Sequence, residues 1–297
     1  MTAFERLRTA KEFLTGAGID DARREAESII AHCLGIDRVI FYRDNPQIPE
    51  HVNSKIDELL RRRARREPLQ YILGYTEFYG LKITVGSGVL VPRPETELLV
   101  EETVKVMRKI DTGSPHYPHI GEGWRILDLC TGSGCIALAL GTAFPDAIVY
   151  GIDFSETAIE YAGKNAGING VRNVTFIQGN LFEPVRESLI NGGPHLKFDL
   201  IVSNPPYIKT GDIKDLQQEV REWEPAAALD GGEDGLDCYK IIIPESMNFL
   251  RDRGLLILEI GMSQAAEVTM IAREAGFSGI SLIRDYAGIE RIVIAQC

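Results

Sequence analysis

Cysteine is scarce in this 297-residue chain: five residues, Cys33, Cys130, Cys135, Cys238 and Cys297, with no C-x-x-C pair among them. That odd, scattered set supports neither a disulfide framework nor a zinc site, and reduced thiols of a cytosolic protein are the expectation. Histidine is equally thin, five residues without an H-x-x-H or H-E-x-x-H pattern, so the usual metalloenzyme motifs are missing and no metal is expected. Long apolar runs are missing as well; "GLLILEI" is strand length, far short of a bilayer span. The opening "MTAFERLRTAKEFL" is charged and amphipathic and lacks an apolar signal core. A cytoplasmic protein with no membrane role is expected, without internal repeats or low-complexity tracts.

An excess of positive charge is also lacking. The net charge is −11, and it is uneven: residues 1–75 carry 13 Lys/Arg against 12 Asp/Glu, the remainder 19 against 31. A body this acidic repels a polyphosphate chain, so duplex nucleic acid is not an expected partner. With 44% hydrophobic and 25% charged residues the composition is that of a globular protein. The length allows two domains.

Residues 1–74 read as all-helical. "DDARREAESIIAHCLG" offers Asp20 as N-cap, Ala26, Ile29, Ile30, Cys33 and Leu34 at helical spacing, and Gly35 as a stop. "PEHVNSKIDELLRRRARRE" carries the stripe Val52, Ile56, Leu59 and Leu60. Its tail, Arg61 to Arg66, reads either as a solvated helix end favoured by the dipole or as a docking surface for an acidic or phosphate-bearing partner. In residues 75–93 two strand-like runs flank Gly86-Ser87-Gly88, which suggests a β-hairpin linker. Residues 94–297 form the third segment. Pro94 suits a first helical turn with Glu95 and Glu97 behind it, and 111–123 reads as a Pro/Gly/His-rich loop.

From Trp124 short apolar strands alternate with helices, which predicts an α/β fold with a doubly wound, mostly parallel sheet. The end, "GISLIRDYAGIERIVIA", reads as two strands around a tight turn, so one antiparallel strand is expected to close the sheet.

Two motifs fall where such a sheet binds ligands. In "LDLCTGSGCIALAL", Asp128 ends a strand and Gly132 and Gly134 open a helix; Asp153 ends the next strand, placed for ribose hydroxyls. This loop alone equally fits a nicotinamide dehydrogenase. Asp128 and Thr131 before the glycines suit the ammonium of a methionine moiety better than a pyrophosphate. The second motif is "SNPPYI" after the strand "FDLIV". Neither Pro205 nor Pro206 has an N–H, so Asn204 and the Pro205 carbonyl form a stiff set of acceptors. Tyr207 adds a flat face. Such a set could grip the N–H groups of a planar amide or aromatic amine and favour the charge that grows as a methyl group arrives.

With both motifs the chain resembles S-adenosylmethionine-dependent class I methyltransferases. Within them it is similar to the peptide-chain release factor glutamine methyltransferases, over essentially its whole length. "PLQYILG", "VLVPRPETE", "DLCTGSGCIALAL", "VSNPPYI", "ALDGGEDGLDCY" and "LEIG" match that family's pattern in order. The resemblance implies a seven-stranded sheet with one antiparallel strand, a small N-terminal helical substrate-recognition domain joined by a hairpin, and a catalytic domain from residue 94. It implies S-adenosyl-L-methionine as cofactor, leaving S-adenosyl-L-homocysteine. Cys130, Thr131, Gly132, Ser133 and Gly134 would hold its methionine part beside Asp128, and Asp153 its ribose. Asn180 and Leu181 would border the adenine; some relatives carry an aromatic where Leu181 stands. Asn204, Pro205, Pro206 and Tyr207 would be catalytic, with Asn204 shared by the cofactor site. The implied substrate is the glutamine of the Gly-Gly-Gln loop of release factors, and the implied state a monomer. The alternative is an adenine amino-group methyltransferase acting on DNA or RNA, since adenine presents a similar planar amine. A cofactor-saturated sensor or ribosome-associated adaptor is a third reading, which the intact Asn204–Tyr207 motif disfavours.

Overall fold

The computed structural model describes residues 1–113, 123–190 and 196–297. They form two compact units, Met1–Tyr75 with Gln217–Trp223, and Thr76–Leu216 with Glu224–Cys297.

The first unit contains α1 (Ala3–Gly16), α2 (Ala22–Leu34), α3 (Arg38–Asp44), α4 (Glu50–Ala64) and α5 (Leu69–Leu73). Thr2 and Glu5 make a reciprocal capping box that starts α1. The apolar stripes meet in one core: Leu14, Ala26, Ile29, Ile30, Phe41 and Ile56 are fully buried. Cys33 and Leu34 lie only at its margin. The N-cap of α2 is Asp21 rather than Asp20, and its side chain makes no capping bond; Gly35 does end the helix, at φ 65°.

The arginine tail of α4 matches neither expected reading. Arg63 is buried and donates to both oxygens of Glu25, to Glu219 Oε1 at 3.0 Å and to the Glu67 carbonyl at 3.3 Å. Arg66 donates to the same Glu219 oxygen at 3.1 Å and to the Gly18 carbonyl at 2.7 Å. Arg62 pairs with Glu67. Burial works against the charge of Arg63, but the Glu25 and Glu219 carboxylates outweigh it and leave its pKa raised. Of the five, only Arg61 and Arg65 are exposed. The basic run is therefore largely an internal fastening that holds Gln217–Trp223 in this unit.

The second unit opens with a hairpin, β1 (Tyr75–Phe78) and β2 (Leu81–Thr84). The hairpin lies within the expected linker, but its turn is at Tyr79-Gly80, not at Gly86-Ser87-Gly88. Both turn residues have positive φ, 49° and 77°, as a tight two-residue hairpin turn requires. The backbone N–H of Tyr79 is taken by Glu97 Oε1 at 3.1 Å, so the turn is capped from elsewhere in the sequence. The next helix, α6 (Pro94–Gly113), begins at Pro94 as expected and runs through residues 111–113. The rest of the expected 111–123 loop, up to residue 122, lies outside the described residues.

The alternation then unfolds as β3 (Arg125–Leu129), α7 (Cys135–Ala143), β4 (Ile148–Asp153), α8 (Glu156–Asn169), β5 (Val174–Gln178), α9 (Glu183–Ile190) and β6 (Phe198–Ser203). After these come α10 (Gln218–Trp223, part of the first unit), α11 (Asp237–Phe249), β7 (Leu250–Glu259), α12 (Ala265–Glu274), β8 (Ser281–Arg284) and β9 (Glu290–Gln296). The sheet is seven-stranded, ordered β5-β4-β3-β6-β7-β9-β8, with β9 alone antiparallel to the rest. The antiparallel strand does not form the edge: β9 slots between β7 and β8, which a tight β8–β9 turn permits as readily as an edge position. Leu127, Ile201, Leu256 and Val293 belong to its continuous core.

The order in which the chain adds strands reverses between β3 and β6, the parallel neighbours that lead into the two motifs. Leu129 and Ser203 are register partners at their carboxyl ends, and Ser203 Oγ donates to the Leu129 carbonyl at 2.7 Å. Glycine loop and Asn-Pro-Pro-Tyr loop thus leave the sheet side by side. That is where an open α/β sheet binds ligands.

Candidate active site

A cavity of about 350 Å³ lies at these strand ends, within the usual range for small-molecule sites. Of the residues expected in the site, Cys130, Gly132, Asp153, Asn180, Leu181, Asn204 and Pro206 line it. Asp128, Thr131, Ser133, Gly134, Pro205 and Tyr207 are not among its lining residues.

The glycine loop explains this division. Asp128 is wholly buried; its Oδ2 accepts from Thr131 Oγ1 at 2.6 Å and from the Ala137 N–H at 3.1 Å, and its Oδ1 has no partner. The acid braces the turn from beneath. Burial raises its pKa from 3.8 to about 7. The folded state thus holds the proton more tightly than the unfolded chain, and the contribution of Asp128 to stability declines as pH rises from about 4 to about 7. Above the turn, Asp153 accepts from the Gly132 N–H at 2.8 Å and from the Ser155 N–H at 2.9 Å. Asn165 on α8 donates to the Ser133 carbonyl at 2.9 Å, tying the loop down from the side.

Two glycines act differently. A Cβ on Gly134, at φ +81°, would meet the Phe176 ring at 2.8 Å, so this residue serves helix–sheet packing. A Cβ on Gly132, at φ +56°, would meet nothing within 4 Å although the residue lines the cavity. It would stand in the space left for a ligand. Cys130 and Leu181 also hold left-handed backbone, φ 57° and 48°, without being glycine. Strain of this kind costs on the order of 1 kcal/mol per residue and gathers at functional sites.

In the second motif the Asn204 amide is oriented: its Nδ2 donates to Thr96 Oγ1 on α6 at 3.1 Å. With the nitrogen engaged, the amide oxygen is the acceptor that this cavity-lining residue can offer. The backbone behind it is held by Gln264, which donates to the carbonyls of Tyr207 and Gly235, both at 3.0 Å, and accepts from the Gly261 N–H at 2.8 Å. The "DGGEDG" stretch packs directly on this loop: a Cβ on Gly231 would fall 2.8 Å from Tyr207 Cα, one on Gly235 2.6 Å from the Tyr207 carbonyl oxygen. The Tyr207 hydroxyl donates to Glu259 Oε1 at 3.5 Å, and burial pushes its pKa up to about 12. Tyr207 remains a neutral phenol at any working pH.

The opposite wall is clamped by one carboxylate. Glu224 accepts from Arg93 at 2.6 Å and from the Val91 N–H at 3.3 Å, which joins the lining stretches Gly88–Leu90 and Pro225–Ala228.

Residues 5–74 match the family model described as the PrmC N-terminal domain, and residues 120–261 match a methyltransferase domain model. The release factor glutamine methyltransferase of Thermodesulfovibrio yellowstonii is 46% identical over 273 residues, 92% of this chain and 92% of that protein. That of Geobacter sulfurreducens is 44% identical over 283 residues, 95% and 92% of the two. The chain belongs to the release factor glutamine methyltransferase family. A methyltransferase from Pyrococcus furiosus has the same fold, at TM-score 0.51 and 19% identity over 73% of this chain and 89% of that one.

Several residues of this release factor glutamine methyltransferase site were not singled out by sequence reading. Thr96, Glu224, Glu259 and Gln264 lie inside or beside quoted motifs, yet their partners are tens of residues away. Cys238, on the unanticipated α11, lines the cavity together with Cys130; the interaction of the two thiols raises the pKa of Cys130 and lowers that of Cys238. All five thiols are free. Among the described residues no helix is long and apolar enough to cross a membrane.

Proposed function

We propose that this protein methylates the side-chain amide nitrogen of the glutamine in the Gly-Gly-Gln motif of peptide-chain release factors, acting in the cytoplasm as a monomer with S-adenosyl-L-methionine as methyl donor. The observation that carries the reading is the tethered amide of Asn204, a cavity-lining residue whose nitrogen is engaged by Thr96, which leaves its oxygen as the acceptor for a substrate.

The cavity residues fit the donor. Asp153 offers a carboxylate to ribose hydroxyls, the empty space over Gly132 admits the methionine portion, and Asn180, Leu181 and the exposed Phe154 ring flank the remaining wall for adenine. When bound, the donor supplies a methyl group on a positively charged sulfur. Asn204 Oδ1 and the Pro205 carbonyl accept from the substrate amide N–H groups, which orients a weakly nucleophilic nitrogen and favours the positive charge it acquires. Tyr207, neutral and flat, supports the planar amide. Asp128 and Thr131 act on the donor site indirectly by fixing the turn.

The test is incubation of the purified protein with isotopically labelled donor and release factors, beside DNA and RNA, with mass spectrometry locating the label. A methyl group on the Gly-Gly-Gln glutamine alone is the expected result; label on adenine would establish the other acceptor class. Asp153→Ala is expected to weaken donor binding by about 10–100-fold, the loss of charge-assisted hydrogen bonds of roughly 1.5–3 kcal/mol, with the thermal transition retained. Unchanged affinity by calorimetric titration would reject the ribose assignment.

A further inference from the structure

Hydrogen bonds join three segments of the second unit end to end. Asn204 Nδ2 donates to Thr96 Oγ1 at 3.1 Å. Just upstream of Thr96, Arg93 Nη2 donates to Glu224 Oε1 at 2.6 Å and the Val91 N–H to Glu224 Oε2 at 3.3 Å. Downstream of Glu224, the Leu229 carbonyl accepts from the Ile208 N–H at 3.0 Å, and the Ile208 carbonyl accepts from the Gly231 N–H at 2.8 Å. Ile208 directly follows the Asn204–Tyr207 motif, so the path returns to its start. Residues 91–96, 224–229 and 204–208 thus form a closed ring.

Each segment is stiff in itself. Pro92 and Pro94 flank Arg93, Pro225 follows Glu224, and Pro205 and Pro206 follow Asn204, which fixes φ in all three. Ala226–Ala228 is a 3₁₀ turn, closed by the Ala228 N–H on the Pro225 carbonyl at 2.9 Å. Asn204, Pro206, Pro225, Ala227 and Ala228 of the ring line the cavity; Arg93 and Glu224 are not among the lining residues. The Glu224 side chain is 2% exposed and that of Arg93 33%. A buried ion pair adds little net stability over an apolar replacement. What this one supplies is direction: both carboxylate oxygens bond to the 91–93 stretch, and they fasten 224–229 at the point where the chain re-enters this unit.

We propose that Arg93 and Glu224 are positioning residues: their ion pair closes the ring, and the closed ring holds Asn204 Oδ1 and the Pro205 carbonyl in place for the substrate amide. The inference rests on the glutamine-methylation reading. With the pair broken, residues 91–96 and 224–229 are free to part. Asn204 is tied to the start of α6 through Thr96 and shifts with it, so the substrate nitrogen leaves the line of methyl transfer. Asp153 and the glycine loop lie outside the ring and keep the donor.

The experiment measures kcat and KM for release-factor methylation, with donor affinity by calorimetric titration and thermal unfolding of each variant. Arg93→Met combined with Glu224→Gln removes the pair without stranding a buried charge. It is expected to lower kcat by about 10–10²-fold through misplacement of the acceptor, with KM and donor affinity changed by no more than a few-fold. Arg93→Lys, which keeps a cation opposite Glu224, should hold kcat within a few-fold of wild type. Thr96→Val opens the same ring at its other side-chain link. One break suffices, so adding it to the neutral pair should slow the enzyme little beyond the slower of the two, whereas independent contacts give losses that multiply. Wild-type speed in the folded neutral pair, a lysine variant as slow as that pair, multiplied losses, or donor affinity falling in step with kcat would each overturn the ring. Should the neutral pair not fold, Arg93→Gln, at the more exposed partner, takes its place in the same comparison. Failure of the wild type to methylate glutamine would sink the functional reading instead, so the two failures are distinguishable.

Discussion

Asn204→Ala is expected to lower kcat for release-factor methylation by about 10²–10³-fold, the usual cost of removing one preorganised polar contact to a transition state. The direction follows from geometry. Asn204 is held from behind by Thr96 at 3.1 Å, so its oxygen needs no rearrangement to meet the substrate. Alanine leaves the Pro205 carbonyl as the remaining acceptor and lets the substrate nitrogen swing off line. Donor affinity should change by no more than a few-fold, because Asp153 and the glycine loop stay in place. Single-turnover rates with saturating donor, read beside a binding titration, separate the two. Full activity would remove the acceptor mechanism, and a matching loss of donor affinity would reassign Asn204 to cofactor binding alone.

The second large effect is on stability. Arg63→Ala should destabilise the helical unit by about 3–5 kcal/mol, as expected when one partner of a buried ion cluster is removed and the opposing charges stay behind. Glu25 and Glu219 would be left in a largely buried setting, with Arg66 still pairing Glu219. Denaturant unfolding monitored by circular dichroism gives the number. Arg63→Met combined with Glu25→Gln and Glu219→Gln should recover most of the loss, since the cost is that of stranded charge more than of lost attraction. A loss below about 1 kcal/mol, the worth of a surface pair, would show that water reaches the cluster.

Much of this was legible in sequence, for a physical reason. Buried parallel strands such as "FDLIVS" declare themselves by composition, and the two ligand loops carry residues, Gly132, Asn204 and the prolines, whose backbone or donor properties are special. Features made by distant partners were not. Tyr79 at positive φ gave no signal that the hairpin turns there, because Glu97 secures the turn. The α11 helix was obscured by Pro244 inside it and by glycines before it. The arginine run reads as surface until Glu219, more than 150 residues later, is placed beside Arg63. Thr96 and Glu259 look like ordinary helix and strand termini. Asn180, Leu181 and Asp153 were readable because strand ends in this architecture converge.

The insertion of Gln217–Trp223 has a consequence for how the chain can be divided. The polypeptide passes between its two units three times, at Tyr75, Leu216 and Trp223. Severing it after residue 75 therefore yields no clean modules: the helical fragment lacks the Glu219 carboxylate that Arg63 and Arg66 share, and the larger fragment keeps an orphaned short helix. Exchange of the helical part between relatives must therefore carry both stretches together, and the pair should be engineered as one piece.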